Sequence, residues 1–218
     1  MSGDVPQRKG GEGLPIVILG GGRHMHVVLE VCALSGRTVA GFLDKIASAA
    51  GSPGLQRLGD DTLIDDADFV ARHAFIPGMT DSAIKKRLQA RVTNGGGRFA
   101  TAIHPSAVVS PSAAIEDGTV VCAGAILGPH SRVGRLVVVN TKASVDHDCV
   151  VGDFVHIAPG ATLAGNVRVD EGAFVGTGAT VLPDRVIGVS ATVGAGAVVC
   201  KDVPANTTVV GIPARPLS

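Results

Sequence analysis

Residues 133–163 read VGRLVVVNTKASVDHDCVVGDFVHIAPGATL. Within them Val133, Val139, Val145, Val151, Ile157 and Leu163 recur at every sixth position. Followed in both directions, the same period places Ile, Leu or Val at each sixth residue from Ile103 to Val199 without a miss. A fixed period of this kind decides architecture before any other feature is read. Six residues match neither the 3.6-residue turn of a helix nor the two-residue alternation of a strand. Each unit therefore reads as one short strand plus a bend, and three units close a triangular coil. The fourth residue after each aliphatic is small or short: Ala107, Ala113, Thr119, Ala125, Ser131 and onward to Val203. Arg185 is the bulky departure. The aliphatics are expected to stack inward as ladders, with the small residues filling the remaining interior.

Composition agrees with this narrow interior. Aromatics make up 3% of the 218 residues and neither Trp nor Tyr occurs, as a lumen filled by aliphatic and small side chains requires. Formal net charge is zero, which argues against nucleic acid or an acidic membrane as partner. The cysteines, Cys32, Cys122, Cys149 and Cys200, have no C-x-x-C spacing and follow no signal-peptide pattern. They read as reduced thiols of a cytoplasmic protein. No apolar run reaches membrane-spanning length.

Before the repeats the pattern changes. Residues 1–13 are polar and Gly-rich and are expected to be a disordered N-terminus. Residues 14–100 alternate strands and helices, which predicts a small Rossmann-like parallel α/β domain. Expected strands are Leu14–Leu19, Thr38–Leu43 and His73–Ile76. Expected helices cover residues 24–35, Asp60–Asp68 and Thr80–Val92, the last with Lys85, Lys86 and Arg87 exposed. Residues 45–57 read as a loop. Residues 101–218 form the prism.

Two places carry chemistry. Gly20-Gly21-Gly22-Arg23-His24-Met25 joins a strand to a helix start, where free N–H groups and the helix dipole favour an anion. Met25 replaces the third glycine of the dinucleotide fingerprint, which argues against NAD. Asp44 ends the second strand, where an acid can meet a ribose or a base; a plain tight turn with a strand-end carboxylate is the alternative. In the prism, His147 lies two residues past a ladder aliphatic and so projects outward at a turn, flanked by Asp146 and Asp148. An imidazole oriented by a carboxylate is the usual general base near neutral pH. A solvated turn histidine is the alternative. Zinc needs about three convergent ligands, and the spacings of His104, His130, His147 and His156 bring no three together in one chain. His147 and His156 could still meet across a subunit interface.

The repeat, the tail Val199-Cys200-Lys201-Asp202-Val203-Pro204 with Gly211-Ile212-Pro213-Ala214-Arg215, and the DHDCVVGDFVHIAPGATLAGNV segment resemble one family. It is the hexapeptide-repeat, left-handed β-helix sugar O/N-acetyltransferases, of the nucleotide-sugar N-acetyltransferase and sialic acid O-acetyltransferase type. The resemblance spans nearly all of the chain after residue 13. It implies a trimeric acyltransferase of polysaccharide biosynthesis using acetyl-CoA as co-substrate and no metal, with active sites between subunits. It implies His147 as general base, Asp148 as its orienting carboxylate, Gly165 as donor to the thioester carbonyl oxygen and His156 near the acetyl group. Thr177, Ala195, Lys201 and Pro213 would line the coenzyme A groove. Gly20, Gly22, His24 and Asp44 would hold the nucleotide, with Asn140 and Thr141 near the sugar. The favoured acceptor is a nucleotide-linked 4-amino-4,6-dideoxy sugar, of GDP-perosamine or UDP-4-amino-sugar type. O-acetylation of sialic acid, a non-catalytic nucleotide-sensing scaffold and a zinc-dependent γ-type carbonic anhydrase are the rivals.

Overall fold

The computed structural model describes residues 13–46 and 52–217. The expected disordered N-terminus lies, apart from Gly13, outside the described residues. The chain starts with five parallel strands in the order β3-β2-β1-β4-β5. These are β1 (Ile16–Leu19), β2 (Val39–Leu43), β3 (Arg57–Gly59), β4 (Ala74–Pro77) and β5 (Arg98–Phe99). Strands β1 and β4 are buried along their whole length, as the central strands of a covered parallel sheet must be. Helices α1 (His24–Leu34), α2 (Ala67–Arg72) and α3 (Ser82–Asn94) accompany the sheet.

Three expectations for this half need correction. Residues 45–57 are not all loop: β3 begins at Arg57 and extends the sheet beside β2, helped by the Arg57 guanidinium donating to Asp44 O. The helix expected over Asp60–Asp68 is two pieces, a 3₁₀ turn at Asp61–Asp65 and then α2. Asp60 and Asp66 each cap one piece by accepting backbone N–H bonds, and a second N-cap necessarily interrupts the first helix. Lys85, expected in solvent, is fully buried. It shares a helical face with Leu88 and Val92, three and seven residues on.

From Ala102 onward the chain winds as a left-handed parallel β-helix. Each coil contributes one two-residue strand to each of three sheets, and pairing partners lie 18 residues apart, as in Val109↔Leu127↔Val145↔Leu163↔Val181↔Val199. Ladder aliphatics from Val121 to Val199 are buried, and only those of the first coil, Ile103, Val109 and Ile115, are part-exposed at the open end. The turns explain the rest of the repeat. Every sixth residue from Gly118 to Gly196 has a left-handed φ. Gly, Asn and Asp tolerate that conformation best and occupy many of these corners. Arg185 does not enter the lumen; its Nε donates to Pro183 O instead.

Of the corner residues that depart from this rule, two are large and apolar. Leu136 and Phe154 adopt φ of 53° and 63°, yet both are bulky and buried. Left-handed backbone at such residues costs roughly 1–3 kcal/mol each and persists only where surrounding contacts demand it. Here they pack with Val17, Leu19, Phe75, Leu88 and Val92, so the prism corner completes the hydrophobic core of the α/β half. Lys85 Nζ donates to Leu136 O at 2.8 Å and to Phe154 O at 2.9 Å, tying α3 to the same corner. On the next face, α1 covers the strands at Ala102–Ile103 and Val120–Val121, so Val120 is buried although it points away from the lumen.

Candidate active site

Strand β1 ends at the glycine loop. Gly20 has φ +96°, a backbone conformation that disfavours any side chain, and a Cβ there would also push on Met79 Cε. Asp44 braces the loop: its Oδ2 accepts from Gly21 N at 2.6 Å and its Oδ1 from Ile46 N at 2.8 Å. Helix α1 has no side-chain cap, because Arg23 stands at its N-cap position. The Met25 and His26 N–H groups already donate to Gly22 O and Arg23 O, which leaves those of Arg23 and His24 for a ligand or water. This loop opens into a cavity of about 580 Å³ whose lining includes Gly20, Gly22, Arg23, His24, Asp44, Lys45, Ile84 and Arg87. The lining carries Arg23, Lys45 and Arg87 against Asp44, Asp61 and Asp81, with Lys45 paired to Asp61 Oδ2 at 3.3 Å, so Arg23 and Arg87 beside the α1 terminus are the groups suited to an anion.

His24 joins this cavity to the prism. Its ring lies 6.3 Å from that of His156, and its Nε2 is buried without a hydrogen-bond partner. His156 Nε2 sits 3.1 Å from Asn140 Nδ2, and Asn140 Oδ1 in turn accepts from Thr141 N at 2.8 Å. An amide nitrogen can only donate, so His156 Nε2 is the acceptor and its proton is on Nδ1. Burial, with added repulsion from Lys85 and His24, pushes the His156 imidazole down to about 4. Burial first and Lys85 second also lower His24. Both rings are thus neutral at pH 7. Lys85 is itself pushed down to about 7 by burial.

His147 stands elsewhere, on the exposed corner between the second and third faces. Its Nδ1 bonds Asp148 Oδ2 at 2.8 Å, which leaves Nε2 free. The Asp148 hydrogen bond is the main reason its pKa is raised. Asp148 takes the left-handed corner position with φ 58°, which turns its carboxylate back toward the ring. The ring lies over Gly165, the residue one coil on, where a Cβ would collide with Cε1 and Nε2. His147, Gly165 and Lys201 stack in one column at this corner. Thr141, Thr177 and Ala195 stack in another, at the corner between the first and second faces. Thr177, Ala195, Lys201 and Pro213 are all exposed. The structure therefore gathers His24, Asn140, Thr141 and His156 into one cluster and His147, Asp148 and Gly165 into a second. No hydrogen bond or ring contact joins the two clusters within the chain. Among the described residues, no group of three or more His, Cys, Asp or Glu could hold a metal ion.

PerB from Caulobacter crescentus, solved in complex with CoA and GDP-perosamine, superposes with a TM-score of 0.88 at 38% identity, covering 94% of this chain and 97% of that one. The chain belongs to the hexapeptide-repeat sugar acetyltransferase family. The acetyltransferase domain of PglB from Neisseria gonorrhoeae, in complex with acetyl coenzyme A, gives 0.87 at 36% identity over 93% of this chain and 98% of that one. WeeI from Acinetobacter baumannii gives 0.79 at 29%, over 94% and 100%. The UDP-N-acetylbacillosamine N-acetyltransferase of Bacillus subtilis is 38% identical over 110 residues, a match spanning about half of either chain. No protein-family model matches. Like its relatives, this acetyltransferase-family chain combines the α/β half with the prism, and no helix among its described residues is long and apolar enough to cross a membrane.

Sequence reasoning missed Lys85, although its spacing from Leu88 and Val92 carried the signal. The nearness of His24 and His156 had no signal at all, since they are far apart in the chain and lie in different halves.

Proposed function

We propose that the chain transfers the acetyl group of acetyl-CoA to the amino group of a nucleotide-linked 4-amino-4,6-dideoxy sugar. The observation that carries this reading is the His147–Asp148–Gly165 corner: an oriented imidazole with a free Nε2, set over a glycine whose N–H is open. His147 Nε2 takes a proton as the amine nitrogen attacks the thioester carbonyl. The Gly165 N–H donates to the developing oxyanion. The carbon–sulfur bond then breaks and the CoA thiolate collects the proton. No acyl-enzyme is needed, and Cys149, two residues past His147, is buried with its thiol raised by burial.

The separation of the two clusters supports a trimer. His147 of one subunit would stand beside the His24–His156 cluster and cavity of its neighbour, and the acetyl-CoA groove would run between adjacent prisms, past Thr177, Ala195, Lys201 and Pro213. The nucleotide would occupy the cavity at Gly20, Gly22 and Asp44, with the sugar directed toward His24, Asn140 and Thr141. Solved relatives include a GDP-perosamine complex, and a curated relative is a UDP-N-acetylbacillosamine N-acetyltransferase, so GDP- and UDP-linked amines are the first acceptors to test. Localisation in the cytoplasm, where acetyl-CoA and nucleotide sugars are made, follows from this chemistry.

His147→Ala should cut turnover at least ~10² while leaving the trimer intact by light scattering. Near-normal turnover would remove His147 from the mechanism. Calorimetry with GDP- and UDP-amino sugars against free sialic acid separates N-acetylation from the O-acetyl alternative.

A further inference from the structure

The corner column through the site contains Pro129, His147, Gly165 and Pro183 at 18-residue intervals. The prolines have no N–H. That of His147 is taken by Asp146 Oδ1 at 2.7 Å. The Gly165 N–H donates to no acceptor among the described residues. The other end of the same peptide unit carries a side-chain hydrogen bond. Ala164 O accepts from Cys149 Sγ at 3.1 Å, and Cys149 lies in the prism core. In a trans peptide the C=O and N–H point in opposite directions. With the carbonyl facing the core thiol, the Gly165 N–H faces outward, on the side where the His147 ring lies.

We propose that Cys149 is a positioning residue whose S–H holds the Ala164–Gly165 peptide so that the Gly165 N–H faces the reacting thioester. This rests on the acetyl-transfer reading above. Burial keeps the thiol protonated, so it remains a donor at working pH. The repeat itself shows that the role is separable from packing. Ala143, Val155 and Ala161 hold the equivalent small-residue position in neighbouring units with no side-chain donor. Thr119, at the same repeat position, makes the same type of bond through a hydroxyl, to Gly134 O at 2.7 Å.

The test compares Cys149→Ala, Cys149→Val and Cys149→Ser in the full-length protein. Removing an entire oxyanion donor costs ~10²–10³ in kcat, and misaiming one should cost about tenfold. Ala and Val should lower kcat by that factor with KM for acetyl-CoA within twofold of wild type. Ser, which keeps a donor, should return most of the loss. Isotope-edited infrared of bound carbonyl-¹³C acetyl-CoA should show a carbonyl stretch shifted to low frequency in wild type and Ser, and less so in Ala and Val. Wild-type kcat and stretch in both Ala and Val would overturn the proposal. So would a Ser variant as impaired as Ala. The infrared arm needs only bound acetyl-CoA. If it responds to Cys149 while no amino sugar is acetylated, the acceptor reading fails and the positioning role stands. Absence of acetyl-CoA binding to wild type would overturn both.

Discussion

The two halves of the molecule solve the same burial problem by opposite means. The prism buries one aliphatic per six residues against its own next coil, so each unit repeats its neighbour's contacts. The α/β half has no repeat, and its core is closed by residues it does not own. Leu136 and Phe154 fill it from the prism corner, and Lys85 binds their carbonyls. The prism is thus locally determined, whereas the α/β half depends on long-range contacts. Chemistry divides along the same line: the His147 corner is built from residues within two coils, and the His24–His156 cluster exists only because the halves are packed together.

The strongest way to break this comparison is Lys85→Glu. It sets an acceptor against two carbonyl acceptors and buries an unpaired charge, at a cost of about 3–5 kcal/mol. Thermal unfolding should split, with the α/β half melting early and the prism little changed. A single undiminished transition would show that the joint does not depend on Lys85. The same residue gives a pH signature. The folded pKa is about 7 against an ordinary 10.5, so between these values the unfolded chain holds a proton the folded one lacks. Stability from this group therefore rises with pH across that window and has its full penalty below it. Urea midpoints measured from pH 7 to 10 should show the rise in wild type, and Lys85→Met should flatten it.

Within the prism the effects should be catalytic rather than structural. Gly165→Ala puts a methyl into the His147 ring, and displacing a base by about 1 Å can cost ~10² in rate. Its melting temperature should stay near that of wild type; wild-type kcat would show that the ring has room. Asp148→Asn is milder, about tenfold at the plateau. Its sign is specific. Asp148 is the main cause of the raised His147 pKa, so its loss moves the acid limb of the pH–rate profile to lower pH. An unmoved limb would assign that limb to another group.

The His147–Asp148 pair was legible because it lies at a fixed offset from a ladder aliphatic, whereas Gly165 entered only through the family resemblance and the structure sets it against the His147 ring. The α/β half was less so. Strand β3 is three residues long and only half-buried, so no run of apolar residues marks it. The break between the 3₁₀ turn and α2 depends on Asp66 acting as a cap rather than as a helix-surface acid. A lysine is ordinarily placed in water, and only two carbonyls left unbonded by their own turns make its burial tolerable.

Sequence by itself determined the prism, its inward ladder and the imidazole–carboxylate pair, because each of these depends on neighbours at one short, constant spacing. The tertiary structure alone decided that Lys85 is buried, that His24 meets His156, that Asp44 spends both oxygens on backbone N–H groups, and that the Cys149 thiol takes the Ala164 carbonyl. These contacts join residues whose separation follows no period. They form only when two surfaces with complementary shape and hydrogen-bonding groups are brought together.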